Sequence, residues 1–317
     1  MKAHGPILAL CVAFAVAACG GDDGGTGLRV VATTTQIGDF VRNVGGDSVR
    51  LTVLLKPNQD AHDFDPEPSQ VRALANAGLV LRNGIGLDAF VHKAIEGSDA
   101  EVVVVSEGIR LRTGGEHEEE EGEGEHAEDE AAHEEAAGND PHVWLSVPNA
   151  KIMVENVRLA LREADSANEA ASDQNAQRYL AELDALDASI RQQVATVTAA
   201  CRKLVTNHEV LGYYAEAYGL ELVGSVIPSA TTEAQPSAGD VAEIVRRIRA
   251  EGVPAIFAEA SVNPALLRQV GREAGVTVVD DLYGDSLGPA GSDGATYIEM
   301  MQSNTRKIVA ALRGCGR

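Results

Sequence analysis

Basic side chains are scarce in this chain of 317 residues. Lysine and arginine together number 26 against 48 aspartates and glutamates, which gives a formal net charge of −22. A nucleic-acid-binding protein needs a basic face that displaces counterions from phosphates. The composition therefore excludes a nucleic-acid partner. Twelve of the acidic residues lie between positions 114 and 137, so the remainder of the chain is only moderately acidic.

The sequence also lacks an apolar stretch that is long enough to cross a membrane. The apolar run over residues 7–18 would rise about 18 Å as a helix, which is too short for a hydrocarbon core of about 30 Å. It predicts a signal peptide over residues 1–18. The run ends in Val16-Ala17-Ala18-Cys19, which resembles a bacterial lipobox. We therefore expect lipidation of Cys19 and a tether over residues 19–27; an ordinary signal with an incidental cysteine is the alternative.

Cysteine is rare as well, with four in the whole chain. Cys11 lies in the predicted signal peptide and Cys19 at its end, so Cys201 and Cys315 are the only thiols of the folded part. In an exported protein two remaining cysteines usually pair. We expect a Cys201–Cys315 disulfide, with two unpaired buried cysteines as the alternative.

From Leu28 onward the sequence alternates short apolar runs with segments of helical spacing. The apolar runs are continuous, which is typical of parallel strands covered on both faces. Residues 172–199 contain no glycine or proline and carry apolar side chains at steps of three and four, which predicts one long amphipathic helix. The pattern predicts an α/β protein with a first β/α lobe over residues 28–165, a linking helix over 166–199 and a second β/α lobe over 200–317.

One segment inside the first lobe does not fit the alternation. Residues 114–138 are rich in glutamate and glycine and have too few apolar side chains to pack, so we expect a disordered loop. It contains His117, His126 and His133. These histidines either recruit zinc weakly or belong to a solvated spacer.

Three histidines and one aspartate lie in loops that follow or precede the predicted strands and helices: His62, His142, His208 and Asp285. Loops after parallel strands gather at the carboxyl edge of a sheet, where ligands bind in α/β folds. Two of the four come from each side of the long helix, which predicts a site in the cleft between the lobes. Three neutral imidazoles and a carboxylate form a closed set of four ligands that suits Zn²⁺.

Alternatives remain for individual residues and for the kind of site. Asp281 is the fallback for Asp285. Glu259, at the end of a strand, either orients an imidazole or has a capping or solvated role, and His92 is expected on a helix surface without a function. Catalytic zinc keeps an open position for water, and three histidines with a carboxylate would leave none. The sequence also contains no His-Glu-x-x-His motif and no nucleophile elbow. These features argue against a zinc hydrolase.

Four motifs together resemble a known family. They are Asp65-Pro66-Glu67-Pro68-Ser69 after His62, Asp140-Pro141-His142-Val143-Trp144-Leu145, Asn207-His208-Glu209, and Leu282-Tyr283-Gly284-Asp285-Ser286-Leu287-Gly288. Over almost the whole mature chain the sequence is similar to the metal-binding lipoproteins that serve bacterial ABC transporters for zinc and manganese. The resemblance places the family's four metal ligands at His62, His142, His208 and Asp285. Ala61 and Ser146 depart from the family pattern, but neither occupies a ligand position.

The resemblance implies an exported, membrane-anchored carrier that captures Zn²⁺ and delivers it to an ABC-type permease. Manganese carriers of the family tend to have glutamate at the position of His208, which favours zinc; a manganese carrier or a metal-dependent adhesin of the same fold is the alternative. We expect a monomer that is not an enzyme. A zinc chaperone is a further candidate partner.

Overall fold

A computed structural model describes residues 27–96, 98–114 and 138–315. This part of the chain forms two β/α lobes. The elements of the first lobe are β1 (Leu28–Ala32), α1 (Thr35–Gly45), β2 (Val49–Val53), α2 (Pro68–Ala75), β3 (Leu79–Arg82), α3 (Phe90–Ala94), β4 (Glu101–Val104) and α4 (Val147–Ala164). The helix α5 (Glu169–Ala195) leads to the second lobe. That lobe comprises β5 (Lys203–Thr206), α6 (Gly212–Tyr218), β6 (Glu221–Ser225), α7 (Ala238–Glu251), β7 (Ala255–Glu259), α8 (Ala265–Ala274), β8 (Thr277–Leu282) and α9 (Tyr297–Leu312).

Each lobe is built on a parallel sheet of four strands. The strand orders are β2-β1-β3-β4 and β6-β5-β7-β8, so both sheets repeat one topology. All the paired strands run parallel. The strand order reverses beside β1 and beside β5, and a crevice forms at the carboxyl ends of strands at such a reversal. The fold predicted from the alternation of apolar runs, two parallel lobes and a long helix, is confirmed.

The long helix α5 belongs to the packing of both lobes. It contacts α1 and α4 of the first lobe and α9 of the second. Its inward face buries Tyr179, Leu183, Leu186 and Ile190, and these side chains belong to one apolar core that extends from Val30 to Leu312. A disulfide joins Cys201, just before β5, to Cys315, just after α9, with a Cα–Cα distance of 5.8 Å. Shared apolar burial of this kind restricts relative motion of the lobes.

Local capping fixes where the helices next to the site begin. The α4 helix starts with proline in its first turn, and the hydroxyl of Ser146 accepts a hydrogen bond from the Asn149 backbone. Two side chains cap the α2 helix. Glu67 and Gln70 form a reciprocal capping box there, because each side chain bonds the other residue's backbone N–H.

Several predicted features fall outside the described residues. These are the signal peptide, Cys19 with most of its tether, and the acidic loop with His117, His126 and His133. Among the described residues, no helix is both long and apolar enough to cross a membrane.

Candidate metal centre

The first lobe contributes two histidines that are held by the same local device. His62 lies in the loop after β2, and its backbone N–H donates to Asp60 Oδ1 at 2.9 Å. His142 precedes the short 3₁₀ turn Val143–Leu145, and its backbone N–H donates to Asp140 Oδ1 at 3.0 Å. In both cases an aspartate two residues earlier closes a tight turn that aims the imidazole into the cleft.

The second lobe contributes the other two side chains. His208 follows β5 after a single intervening residue, and Asp285 follows β8 in the loop toward α9. Both residues are fully buried. Because β5 and β8 belong to the same parallel sheet, their carboxyl ends meet at the edge that faces the first lobe.

The structure brings all four predicted ligands together. One donor atom from each of His62, His142, His208 and Asp285 lies within 4.8 Å of every other. The three imidazoles meet through Nε2: the distance from His142 Nε2 is 3.1 Å to His62 Nε2 and 3.2 Å to His208 Nε2. The Asp285 oxygens lie 3.4 Å from His142 Nε2, 3.7 Å from His62 Nε2 and 4.0 Å from His208 Nε2.

These separations suit a single cation at the centre of the group. Zinc–nitrogen and zinc–oxygen bonds of about 2.0–2.2 Å in a tetrahedron place the ligand atoms roughly 3.3–3.6 Å apart. The observed distances between donor atoms scatter around that range. When Nε2 is unprotonated on all three rings, the imidazoles cannot hydrogen-bond to one another, so this arrangement suits a shared cation.

Carboxylates fix the orientation of two of the rings. Asp140 Oδ1 lies 2.7 Å from Nδ1 of His142, and Glu259 Oε1 lies 3.0 Å from Nδ1 of His208. A carboxylate accepts a hydrogen bond from Nδ1–H and so fixes the tautomer, which leaves the Nε2 lone pair directed at the cleft centre. Glu259 is itself buried with an exposed fraction of 1%, so of the roles predicted for it, only the orientation of an imidazole fits its position.

Asp285 is the group that most directly indicates a cation. Its side chain is fully buried, and neither carboxylate oxygen has a hydrogen-bond partner in the described part of the chain. Its backbone N–H donates to Glu259 Oε2 at 2.8 Å, so the main chain is fixed while the carboxylate points at the imidazoles. A buried carboxylate without a hydrogen bond is unfavourable unless positive charge lies beside it, and a metal ion among the imidazoles would supply that charge.

The electrostatics of the cluster show competition for positive charge. Burial lowers the pKa of His62 to about 4. Burial acts in the same direction on His142, but the hydrogen bond and charge of Asp140, aided by Asp285, outweigh it and raise its pKa to about 10. Burial would raise the pKa of Asp285, yet the three neighbouring imidazoles hold it below its usual range. Protons and a metal ion therefore compete for the same positions.

His208 follows the behaviour of His142. Burial opposes protonation of its ring, but the negative charges of Glu259 and Asp285 outweigh burial and raise its pKa. The two imidazoles with carboxylate partners are thus the ones that hold protons most readily.

Hydrogen bonds from the first lobe hold the loop that carries Asp285. The Gly284 carbonyl accepts from Gln36 Nε2 and from Trp144 Nε1, each at 3.0 Å. The Leu287 backbone N–H donates to Thr35 Oγ1 at 2.8 Å, and its carbonyl accepts from Asn58 N at 3.1 Å. The carboxylate ligand of the second lobe is therefore also anchored to the first.

The cleft opens to solvent beside His62. A cavity of about 200 Å³ lies there, between Ile85 and Pro141 of the first lobe and Ser229 of the second. At this mouth Thr232 Oγ1 donates to Asp60 Oδ2 at 2.7 Å, which links the lobes.

Other residues singled out in the sequence lie elsewhere. Asp281, the fallback for Asp285, points away and pairs with Lys307 at 3.0 Å. His92 is exposed on α3 and contacts Arg82. Asp60 and Asp140, which hold His62 and His142 in position, were not predicted. The repeated Asp-x-His pattern in Asp60-Ala61-His62 and Asp140-Pro141-His142 is a signal for them.

The fold and the site define the class of protein. It is a two-lobed binding protein with a buried candidate metal centre between its lobes. Residues 30–311 match the family described as zinc-uptake complex component A, periplasmic. The chain belongs to this family of substrate-binding proteins.

Individual relatives differ in the metal that their names specify. The manganese-binding lipoprotein MntA of Halalkalibacterium halodurans is 31% identical over 96% of each chain. The periplasmic zinc-binding protein TroA of Treponema pallidum is 30% identical, with a TM-score of 0.77 over 90% of this chain and 99% of that one. A manganese-bound periplasmic metal-binding protein of Candidatus Liberibacter asiaticus, at 24% identity and a TM-score of 0.77 over the same shares of the two chains, shows the fold alone.

Proposed function

We propose that this protein captures Zn²⁺ outside the cytoplasm and delivers it to the membrane permease of an ABC transporter. The observation that carries the proposal is the convergence of His62, His142 and His208 on the buried, unpartnered carboxylate of Asp285. Four protein ligands close the coordination sphere, which suits carriage of an ion better than catalysis with a bound water.

The location follows from the same family membership. The relatives include the manganese-binding lipoprotein MntA of Halalkalibacterium halodurans and the manganese ABC transporter substrate-binding lipoprotein PsaA of Streptococcus anginosus. These names agree with the exported, membrane-anchored protein expected from residues 1–27. Within the proposal Cys19 carries the lipid, and the permease is the partner that receives the ion.

Zinc is favoured by the chemistry of the ligands. Imidazole nitrogen is a preferred ligand of zinc, whereas manganese prefers carboxylate and other oxygen ligands. Here imidazoles supply three of the four ligands. Within the proposal, His208 is the ligand whose imidazole favours zinc over manganese.

Manganese is the second candidate, because several relatives are named for it. One structural observation favours it: both oxygens of Asp285 face the imidazoles, Oδ1 toward His142 and Oδ2 toward His62. A carboxylate bound through both oxygens raises the number of donor atoms to five, closer to the higher coordination that manganese adopts.

Competitive titration of the purified protein with Zn²⁺ and Mn²⁺ tests the proposal. Almost any nitrogen and oxygen site binds zinc more tightly than manganese, so the useful quantity is the ratio of the two affinities and its change on mutation. We expect one tight zinc per chain and a His208→Glu variant with a clearly smaller zinc-to-manganese ratio. His92→Ala, which alters an exposed histidine outside the site, is the matched control.

The outcomes separate the candidates. Loss of tight zinc binding in His62→Ala with an unchanged fold supports the ligand assignment, and unchanged binding would contradict it. X-ray absorption that shows a bound water and only three protein ligands would favour hydrolysis over carriage. A ratio that His208→Glu leaves unchanged would remove the argument for zinc.

A further inference from the structure

Carboxylates orient the rings of two of the three ligand histidines, but not that of His62. Asp140 and Glu259 lie against Nδ1 of the other two imidazoles, whereas no carboxylate in the described part of the chain lies against Nδ1 of His62. Outside the ligand cluster His62 is held through its backbone N–H, which donates to Asp60 Oδ1 at 2.9 Å. The direction of this imidazole therefore depends on the turn that Asp60 closes.

The loop that carries His62 is bonded to the second lobe at two points. Asp60 Oδ2 accepts from Thr232 Oγ1 at 2.7 Å. The Asn58 backbone N–H donates to the Leu287 carbonyl at 3.1 Å. Asn58 has a φ of 57°, a left-handed conformation that asparagine adopts more readily than most residues. A ligand of the first lobe thus lies on a loop whose position the second lobe helps to fix.

The loop of Thr232 is itself bonded to the segment that carries a ligand of the second lobe. The backbone N–H of Glu209, the residue after His208, donates to the Ser229 carbonyl at 3.0 Å. The Thr231 backbone N–H donates to Ser229 Oγ at 3.1 Å. Hydrogen bonds along this loop therefore connect the segment of one ligand histidine with the turn of another across the cleft.

We propose that Thr232 is a positioning residue for His62 and acts through Asp60. This inference rests on the metal site of the proposed function. The two oxygens of Asp60 have separate partners, the His62 N–H on the first lobe and the Thr232 hydroxyl on the second. Because the hydroxyl bond exists only while the lobes are together, opening of the cleft leaves Asp60 held by one oxygen. The imidazole of His62 is therefore fixed most firmly in the closed form, which slows the loss of a bound ion.

Removal of the Thr232 hydroxyl tests this role. Thr232→Val keeps the branched shape of the side chain but takes the donor away from Asp60 Oδ2, so the carboxylate also holds the His62 backbone less firmly. We expect zinc to dissociate about three- to tenfold faster and the dissociation constant to rise by the same factor, the range for loss of one partly exposed hydrogen bond. Thr232→Ser retains the hydroxyl and should restore the values of the parent protein.

Thr231→Val is the matched control. Thr231 is half-buried like Thr232, but its hydroxyl makes no hydrogen bond to another described residue, since its bond to Ser229 uses the backbone N–H. The same substitution at this position should leave zinc release unchanged. Release of zinc into an excess of chelator, followed by stopped flow, gives the rates. Thermal unfolding of the metal-free variants checks that the fold persists.

A double-mutant cycle with His62→Ala separates positioning of this ligand from a general attraction between the lobes. If Thr232 acts through His62, Thr232→Val should not weaken zinc binding further once the imidazole is absent. Chelators of graded strength give the dissociation constants of the four proteins. An equal loss with and without His62 would overturn the inference, because the bond would then only hold the lobes together.

The outcomes distinguish this inference from the function on which it rests. Absence of tight zinc binding in the parent protein would remove the proposed function. Tight zinc binding by the parent with equal release rates for the parent and Thr232→Val would overturn only the positioning role. An effect of Thr231→Val as large as that of Thr232→Val would also overturn it, because the bond to Asp60 would then not be the cause.

Discussion

Replacement of Glu259 by glutamine is the most informative perturbation of the candidate metal centre that leaves the four ligands in place. The two oxygens of Glu259 serve three buried donors. Oε1 accepts from Nδ1 of His208 at 3.0 Å and from Asn207 Nδ2 at 3.2 Å, and Oε2 accepts from the backbone N–H of Asp285 at 2.8 Å. Glutamine has nearly the same shape but only one oxygen. At least one of these donors must therefore face an amide NH₂ group, and the negative charge that stabilises positive charge on His208 disappears.

The expected loss of zinc affinity follows from these contacts. A buried donor without an acceptor costs about 1–3 kcal/mol. Substitution of residues that support a metal-bound histidine typically lowers metal affinity 10- to 100-fold, which corresponds to about 1.4–2.8 kcal/mol. The two ranges agree with each other. We expect Glu259→Gln to weaken zinc binding 10- to 100-fold without abolishing it.

Asp140→Asn is the matched comparison. Asp140 uses Oδ1 alone for both the backbone N–H and Nδ1 of His142, at 3.0 and 2.7 Å, so an asparagine oxygen can retain both bonds. Removal of the charge lowers the raised pKa of the neighbouring imidazole in both variants, His142 here and His208 in Glu259→Gln, so proton competition decreases in both and the retained hydrogen bonds make the difference. We therefore expect a smaller loss, below about tenfold, although Asp140 and Glu259 occupy equivalent positions next to a ligand.

A chromogenic chelator that competes for zinc gives the dissociation constants, and thermal unfolding of the metal-free variants checks that the fold persists. The reasoning depends on the order of the two effects. Equal affinity of Glu259→Gln and the parent, or a larger loss in Asp140→Asn than in Glu259→Gln, would refute it.

Three further predictions concern the same protein. The raised pKa of His142, about 10, means that the metal-free site holds a proton below that pH. Zinc affinity should therefore fall at least about tenfold per pH unit as the pH decreases from 9 to 7. A pH-independent affinity would contradict a site of protonatable imidazoles. Paired Cys201→Ser and Cys315→Ser substitutions open a crosslink between residues 114 positions apart; they should lower the free energy of unfolding by up to about 4–5 kcal/mol, and two titratable thiols in the unreduced parent would disprove the bond. Deletion of residues 115–137 should leave the tight zinc in place and remove weaker zinc binding, measured as stoichiometry, and identical curves would reduce the loop to a solvated spacer.

The sequence was sufficient for the fold because the signals of the fold are local. The apolar run at Lys203–Thr206 coincides with β5, and the alternation of such runs with helical spacing predicted both parallel sheets. The bounds predicted for the long helix, residues 172–199, differ by a few residues from those observed, Glu169–Ala195. The helix ends at Ala195, because Thr196 bonds the Gln193 carbonyl and Arg202 bonds the Val197 carbonyl. Those contacts end a helix that the alanine-rich sequence alone would continue.

The four ligands of the candidate site could be predicted from the sequence, but the hydrogen bonds that hold them could not. His208 could be placed because it follows a strand, whereas the role of Glu259 depended on whether the end of β7 faces β5 and β8, which only the strand order decides. The bond from Gln36 to the Gly284 carbonyl joins residues 248 positions apart. No periodicity or spacing rule connects such positions, since they meet only after both lobes have folded.

Within the proposed function, those long-range bonds affect how an ion would leave the site. His208 and Asp285 belong to the second lobe, but the loop of Asp285 is hydrogen-bonded to Gln36 and Trp144 of the first. Separation of the lobes as rigid bodies would break these bonds and draw Asp285 and His208 together away from His62 and His142, which leaves two ligands on each side. Neither pair alone forms a closed shell around zinc. A partner that opens the cleft by breaking the Gly284 bonds would therefore release the ion without contact with a metal ligand, and the shared core along α5 keeps the site closed until that happens.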